Sequence, residues 1–324
     1  MLDSNYLINR IFNISSITEQ KVIDEVYQFQ IQNNEVFRKW VANFEVPENS
    51  IHFLPIRFFK SHEIKSTEFK PEKIFESSGT TQTNTSKHLV KDIEVYKRSF
   101  LTTFSNFYGN VEDYCVIGLL PSYLEKNNSS LVFLVDELIK LSSHQQSGFY
   151  LNQNEDLFNI LTVLNLKQQK TILIGVTYAL LDFVQQFPMK LDNVIIMETG
   201  GMKGRKKEIT KTEVHENLKK GFGVNNIHSE YGMTELLSQA YSMQNDRYYC
   251  PPWMKVFVRS EEDPLEVKNI GKGVINIIDL ANLYSCAFIA TDDVGEVFDD
   301  GSFTIYGRQD NSDLRGCSLM LQQL

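Results

Sequence analysis

Thr171-Ile172-Leu173-Ile174-Gly175-Val176 carries no charge, and its reading decides the fold. A short, continuous apolar run of this kind reads as a strand buried on both faces. Tyr114-Cys115-Val116-Ile117-Gly118-Leu119-Leu120-Pro121 is a second such run, and Leu191 to Met197 a third, closed by Glu198-Thr199-Gly200-Gly201. Around them the spacing turns helical: Ile93, Val95, Tyr96, Phe100 and Phe104 between Asp92 and Tyr108, then Leu131 to Leu141, then Val214 to Lys220. Apolar strands alternating with helices predict an α/β sheet core with both faces covered. Ligands of such sheets gather at the carboxyl ends of the strands. Gly200 and Gly201 stand at one such end; a plain strand-to-helix turn is the other reading of the pair.

Working outward, two polar segments bracket this core. Glu76-Ser77-Ser78-Gly79-Thr80-Thr81 packs hydroxyls around one glycine, straight after Lys73-Ile74-Phe75, and Gln82-Thr83-Asn84-Thr85-Ser86 prolongs it as far as Lys87-His88. Backbone N–H groups and hydroxyls in such a loop can converge on phosphate oxygens, and the same composition also makes ordinary turns. His228-Ser229-Glu230-Tyr231-Gly232-Met233-Thr234-Glu235 offers an aromatic face, a flexible glycine, a hydroxyl and a carboxylate within five residues, Tyr231 to Glu235. That set can stack a base, touch a phosphate and hold Mg²⁺, which takes oxygen ligands and keeps waters and substrate phosphates.

Together these segments resemble adenylate-forming enzymes, which activate carboxylates with ATP. Ser77 to Thr81 looks like their phosphate loop, with Gln82 where the family pattern has glycine. Tyr231-Gly232-Met233-Thr234-Glu235 resembles their adenine- and Mg²⁺-binding segment, and the order continues with Thr291-Asp292-Asp293-Val294-Gly295 and Gly307-Arg308-Gln309-Asp310. Cys250-Pro251-Pro252-Trp253 and Arg315-Gly316-Cys317-Ser318-Leu319 are similar to segments of the acyl-protein synthetase (LuxE-type) family. The resemblance spans roughly residues 50 to 324 and implies the large amino-terminal domain of these enzymes, sheets flanked by helices plus a small β sub-domain. It implies ATP contacts from Ser77, Ser78, Gly79, Thr80, Thr81, Gly200, Gly201, Tyr231, Gly232, Asp293 (ribose diol) and Arg308 (ribose and phosphate). Glu235 would hold Mg²⁺ and act with Thr234 in catalysis, and Cys317 would accept the acyl group. Only eight residues follow Gly316, so the mobile carboxyl-terminal domain that brings the usual catalytic lysine is expected to be absent. Chemically, a thiolate is a strong nucleophile, an acyl-adenylate a good acyl donor, and Arg315 could lower the thiol pKa; an inert buried cysteine is the bland alternative.

Composition bounds the function. With 324 residues, 42% hydrophobic and 12% aromatic, the chain suits a large packed domain with sub-domains. We expect a helical lead over 1–50, an α/β core over 51–249, a small β-rich sub-domain over 250–306 and a hinge-like tail over 307–324. The 32 basic and 41 acidic residues give a net charge of −9, which argues against a nucleic-acid partner. Lys203, Arg205, Lys206 and Lys207 read as solvated surface. Cys115, Cys250, Cys286 and Cys317 have no C-x-x-C spacing, so neither a disulfide scaffold nor a zinc site is expected. Cys115 and Cys286 lie in apolar runs and read as structural, leaving Cys250 as the competitor to Cys317. The start Met1-Leu2-Asp3-Ser4-Asn5 lacks a signal-peptide pattern, and the longest apolar candidate, Thr171 to Val184, is too short to span a bilayer. A cytoplasmic enzyme is expected.

The combined expectation is ATP-dependent activation of a fatty or other apolar carboxylic acid, then transfer to Cys317 and on to an acyl reductase or acyl carrier partner. Two alternatives stand beside it: transfer to coenzyme A or a carrier thiol, as in phenylacetate–CoA ligases, and a nucleotide-binding subunit without turnover.

Overall fold

A computed structural model of the chain describes residues 3–44, 50–77, 85–120, 128–151, 153–200 and 209–309. Its centre is a six-stranded sheet in the order Gly148–Phe149, Cys115–Leu119, Thr171–Val176, Val194–Thr199, His228–Tyr231, Ala240–Ser242. All neighbours are parallel except the last pair. Cys115–Leu119 and Thr171–Val176 are buried at every position, as unbroken apolar runs require. The apolar stretch that continues to Val184 divides at Val176, and a helix, Thr177–Gln186, starts at once.

Two further helices matter for the site. Ile93–Tyr108 is capped by Asp92, whose side chain accepts from Glu94 N, and it buries Tyr96, Phe100, Phe104 and Tyr108 along one stripe. Phe100 is wholly buried, so Phe100→Ala should cost about 3–5 kcal/mol. Lys211–Phe222 opens with a capping box between Thr210 and Glu213 and turns inward Val214, His215, Leu218 and Phe222.

A second, largely antiparallel sheet runs Leu54–Pro55, Phe288–Val297, Gly271–Asp279, Met254–Arg259, Val267–Lys268, with Phe303–Arg308 also paired to Phe288–Val297. Burial alternates along Met254–Arg259, so one face packs inward. The helices Glu19–Asn33 and Glu35–Val41 dock here: the Gln30 side chain donates to Asn282 O and Leu283 O and accepts from Ala287 N, and Tyr27 meets Phe288 edge-on at 5.1 Å. A separate small hairpin pairs Lys73–Glu76 with Lys87–Val90. In sequence, its two strands flank the hydroxyl-rich segment. Among the described residues no helix is long and apolar enough to cross a membrane.

Candidate active site

After Tyr231 the chain leaves the parallel sheet, passes through residues 232–239 and returns as Ala240–Ser242. Side chains from distant parts of the chain hold this loop. Asp279 accepts from Leu237 N at 2.8 Å, Ser238 N at 3.0 Å and the Ser238 hydroxyl at 2.5 Å. Asn282 Nδ2 donates to Glu235 O at 2.7 Å, and His88 Nδ1 donates to Thr234 O at 2.8 Å. Buried backbone groups outside a ladder need such partners. Burial pushes Asp279 up to about 6 despite its donors and pushes His88 down to about 4. His88 is therefore neutral near pH 7, and its carbonyl partner fixes the proton on Nδ1. His88, Asn282 and Asp279 thus position Thr234 and Glu235, a role that no local pattern announces.

Glu235 is 6% exposed. Burial raises its carboxyl, opposed by a hydrogen bond with the Ser86 side chain and by the charges of Arg308 and Lys60. Ser86 closes the base of the hydroxyl-rich loop on Ser77: Ser86 N donates to Ser77 Oγ at 3.0 Å, and Ser77 N to Ser86 O at 3.1 Å. The loop base and Glu235 are therefore in contact. Ser78, Gly79, Thr80, Thr81, Gly201 and Cys317, like the basic cluster at 203–207, lie outside the described residues.

Asp293, 4% exposed, accepts from the Tyr231 hydroxyl at 2.8 Å and from Arg308 Nε at 2.7 Å. Asp293 and Arg308 are cross-strand partners, the arrangement in which opposite charges stabilise a sheet. Strand alternation sends the neighbouring Asp292 to the other face, where Arg57 meets it with two contacts of 3.3 Å. The Tyr231 ring is 8% exposed, packed edge-on to Phe303 at 5.3 Å and tilted to Tyr248 at 5.7 Å. In this structure the tyrosine orients Asp293 as well as flanking Gly232.

Motif reading missed the polar groups at the neighbouring strand ends. Gly200 takes φ +69°, a conformation that suits glycine, and its carbonyl accepts from the Thr177 hydroxyl at 2.6 Å. The same Thr177 oxygen lies 2.8 Å from Glu198 Oε2, so its one proton is shared between the two acceptors. Glu198 Oε1 lies 3.6 Å from both Lys211 Nζ and His215 Nε2. Burial alone would raise Glu198, but the hydrogen bond from His215 and the Lys211 charge outweigh it and hold it down at about 2. Lys211 further donates to the Tyr248 hydroxyl at 2.5 Å. One strand over, burial pushes Glu230 up to about 7, the Glu198 charge adds to this, and the Thr199 hydroxyl opposes it. A signal was available: a charge inside an apolar strand, as at Glu198, demands a partner.

Cys115 and Cys286 are pushed up by burial to about 11 and about 12, and Cys250 further still. None of these thiols is activated. Among the described residues no grouping of three or more His, Cys, Asp or Glu could hold a metal ion.

The same architecture recurs among solved structures. ATP-bound MatB from Rhodopseudomonas palustris shares it with a TM-score of 0.55 and 16% identity over 72% of this chain and 47% of that one. A double mutant of o-succinylbenzoate CoA synthetase (MenE) from Bacillus subtilis shares it with a TM-score of 0.51 and 16% identity over 76% and 49%. The chain thus spans about half the length of these solved structures. No protein-family model matches. Among curated proteins, the long-chain-fatty-acid–luciferin-component ligase of Aliivibrio fischeri is 23% identical over 306 residues, covering 86% of this chain and 78% of the relative. The likeness to acyl-protein synthetases that the motifs carry is borne out by this relative.

Proposed function

We propose that the protein activates a carboxylic acid with ATP and passes the acyl group to Cys317 as a thioester. One observation carries this: Glu235, the base of the hydroxyl-rich loop and the Tyr231–Asp293–Arg308 cluster stand around one strand end. A carboxylate oxygen of the acid attacks the α-phosphorus of ATP, the bond to the β-phosphate oxygen breaks, and pyrophosphate leaves. Asp293 accepts hydrogen bonds from the ribose hydroxyls, and Arg308 offers its charge to the developing negative oxygens. The Ser77–Thr81 loop supplies donors to the β- and γ-phosphates. Glu235 is a buried carboxylate whose basic neighbours act on it through charge alone, and a hard cation fits it. Mg²⁺ held there would neutralise charge on the leaving pyrophosphate. The Cys317 thiolate then attacks the acyl carbon, the acyl–oxygen bond breaks, and AMP leaves. An acyl reductase or acyl carrier in the cytoplasm would take the thioester onward.

The test is carboxylate-dependent ATP–pyrophosphate exchange over a panel of acids, followed by mapping of labelled acyl groups. Glu235→Gln should cut exchange by on the order of 100-fold. Wild-type exchange in that variant would remove Glu235 from the site. Hydroxylamine-labile label should map to Cys317, and Cys317→Ser should keep exchange while losing the label. Label on Cys250, or undiminished acyl transfer to coenzyme A by Cys317→Ser, would overturn the thioester step.

A further inference from the structure

Glu230 and Gln239 flank Gly232 on the side of the parallel sheet that faces the helix Ile93–Tyr108, and neither has been given a role above. A Cβ built on Gly232 would lie 2.4 Å from Glu230 Oε1 and 3.4 Å from Gln239 Cγ, so both side chains lie close against this glycine. Strand alternation explains the placement: Tyr231 faces Asp293 and Phe303, while Glu230 turns the other way, its Oε2 taking the Thr199 hydroxyl.

Gln239 is 3% exposed, and its Oε1 has no hydrogen-bond partner. The nearby Tyr96 hydroxyl donates to Ser130 O at 3.1 Å. Because the Tyr96 proton is already committed, this hydroxyl offers Gln239 Oε1 no donor. A buried acceptor without a donor is uncommon and calls for an explanation. Glu230 lies on the same side with a carboxyl that burial and Glu198 push up to about 7, so its protonated form is well populated at neutral pH.

We propose that Glu230 and Gln239 form a hydroxyl-recognition pair beside Gly232, so that the acid this protein activates carries a hydroxyl group on its chain. This deepens the acid-activation reading and rests on it. A hydroxyl both donates and accepts: its proton answers Gln239 Oε1, and its oxygen accepts from the Glu230 carboxyl. A plain methylene would leave Gln239 Oε1 unpaired. An ammonium would require Glu230 to ionise close to the Glu198 carboxylate. Sites built to bond a substrate hydroxyl discriminate strongly against the analogue that lacks it.

The experiment compares chain-matched unsubstituted, hydroxylated and amino-substituted fatty acids in ATP–pyrophosphate exchange. In parallel, calorimetry measures binding of the corresponding acyl-sulfamoyl-adenosine analogues to the full chain. At least one hydroxylated acid should exceed its unsubstituted match about tenfold or more, both in kcat/KM and in analogue affinity. Gln239→Met, and separately Glu230→Met, should bring that ratio to within about twofold. The wild-type ratio is read without any variant, so a misfolded variant leaves the proposal testable. A preference for unsubstituted or amino acids, or a ratio that survives Gln239→Met, would overturn the hydroxyl pair while acid activation stands. Absence of exchange with every acid, together with absence of analogue binding, would overturn the activation reading itself and the pair with it.

Discussion

The two sides of the parallel sheet treat a buried carboxyl in opposite ways. Towards the helix Lys211–Phe222, Glu198 meets Lys211 and His215 and stays ionised, held down at about 2. Towards the helix Ile93–Tyr108, Glu230 accepts from the Thr199 hydroxyl, has no cationic partner among the described residues and is pushed up to about 7. The residues occupy adjacent strands, with Glu198 opposite Ser229 and Thr199 opposite Glu230. Depth is therefore not what separates them. A lysine with a histidine on one side and neutral groups on the other decide the protonation state, because a buried charge survives only when paired.

The largest way to break this contrast is to remove the cation. Lys211→Met leaves Glu198 buried with only His215 and hydroxyls, and should cost about 3 kcal/mol or more of stability in urea unfolding at pH 7. An unchanged midpoint would show that Glu198 does not depend on the pair. The next test uses pH, and the two carboxyls must respond with opposite sign. Glu230 lies above its ordinary 4.5, so its contribution is fully present below that pH and lost as the pH rises through about 7. Glu230→Gln should abolish an alkaline-side loss of roughly 3 kcal/mol, since each tenfold gain in proton affinity on folding is worth about 1.4 kcal/mol. Glu198 lies below 4.5, so its contribution is present above that pH and lost as the pH falls through about 2. Denaturation midpoints of Glu230→Gln and Glu198→Gln across pH 2–9 check both; parallel profiles would erase the distinction. The smallest effect sharpens the rule for a neutral group. His88→Phe keeps the ring but orphans Thr234 O, and should cost about 1–2 kcal/mol by thermal melting.

What the sequence discloses follows from the range of the interactions. Cys115–Leu119 and Thr171–Val176 announce themselves because burial on both faces removes every charge from the run. The helix Ile93–Tyr108 shows in its own spacing. Leu54–Pro55 and Gly148–Phe149 are two residues long and carry no period to detect. The helix Thr177–Gln186 is hidden because its apolar residues continue those of the preceding strand. At the candidate site, Tyr231, Gly232, Thr234, Glu235, Asp293 and Arg308 are legible as motif residues. The groups that hold them are not: Asp279 lies 41 residues from Ser238 in the chain, and His88 lies 146 from Thr234. Such pairs exist only once the sheets have closed on each other, and a local window contains one partner without the other.

The indole of Trp253 has a consequence for observation. It is one of only two tryptophans, it is 2% exposed, and its N–H lies 3.1 Å from Ser99 Oγ and 3.0 Å from Ser238 Oγ. The other, Trp40, donates instead to Phe53 O. A Trp40→Phe chain would therefore own a single tryptophan, wired to the segment that carries Glu235. Its emission wavelength would register any displacement of Ser238, turning this loop into its own optical gauge, readable in real time without an attached dye.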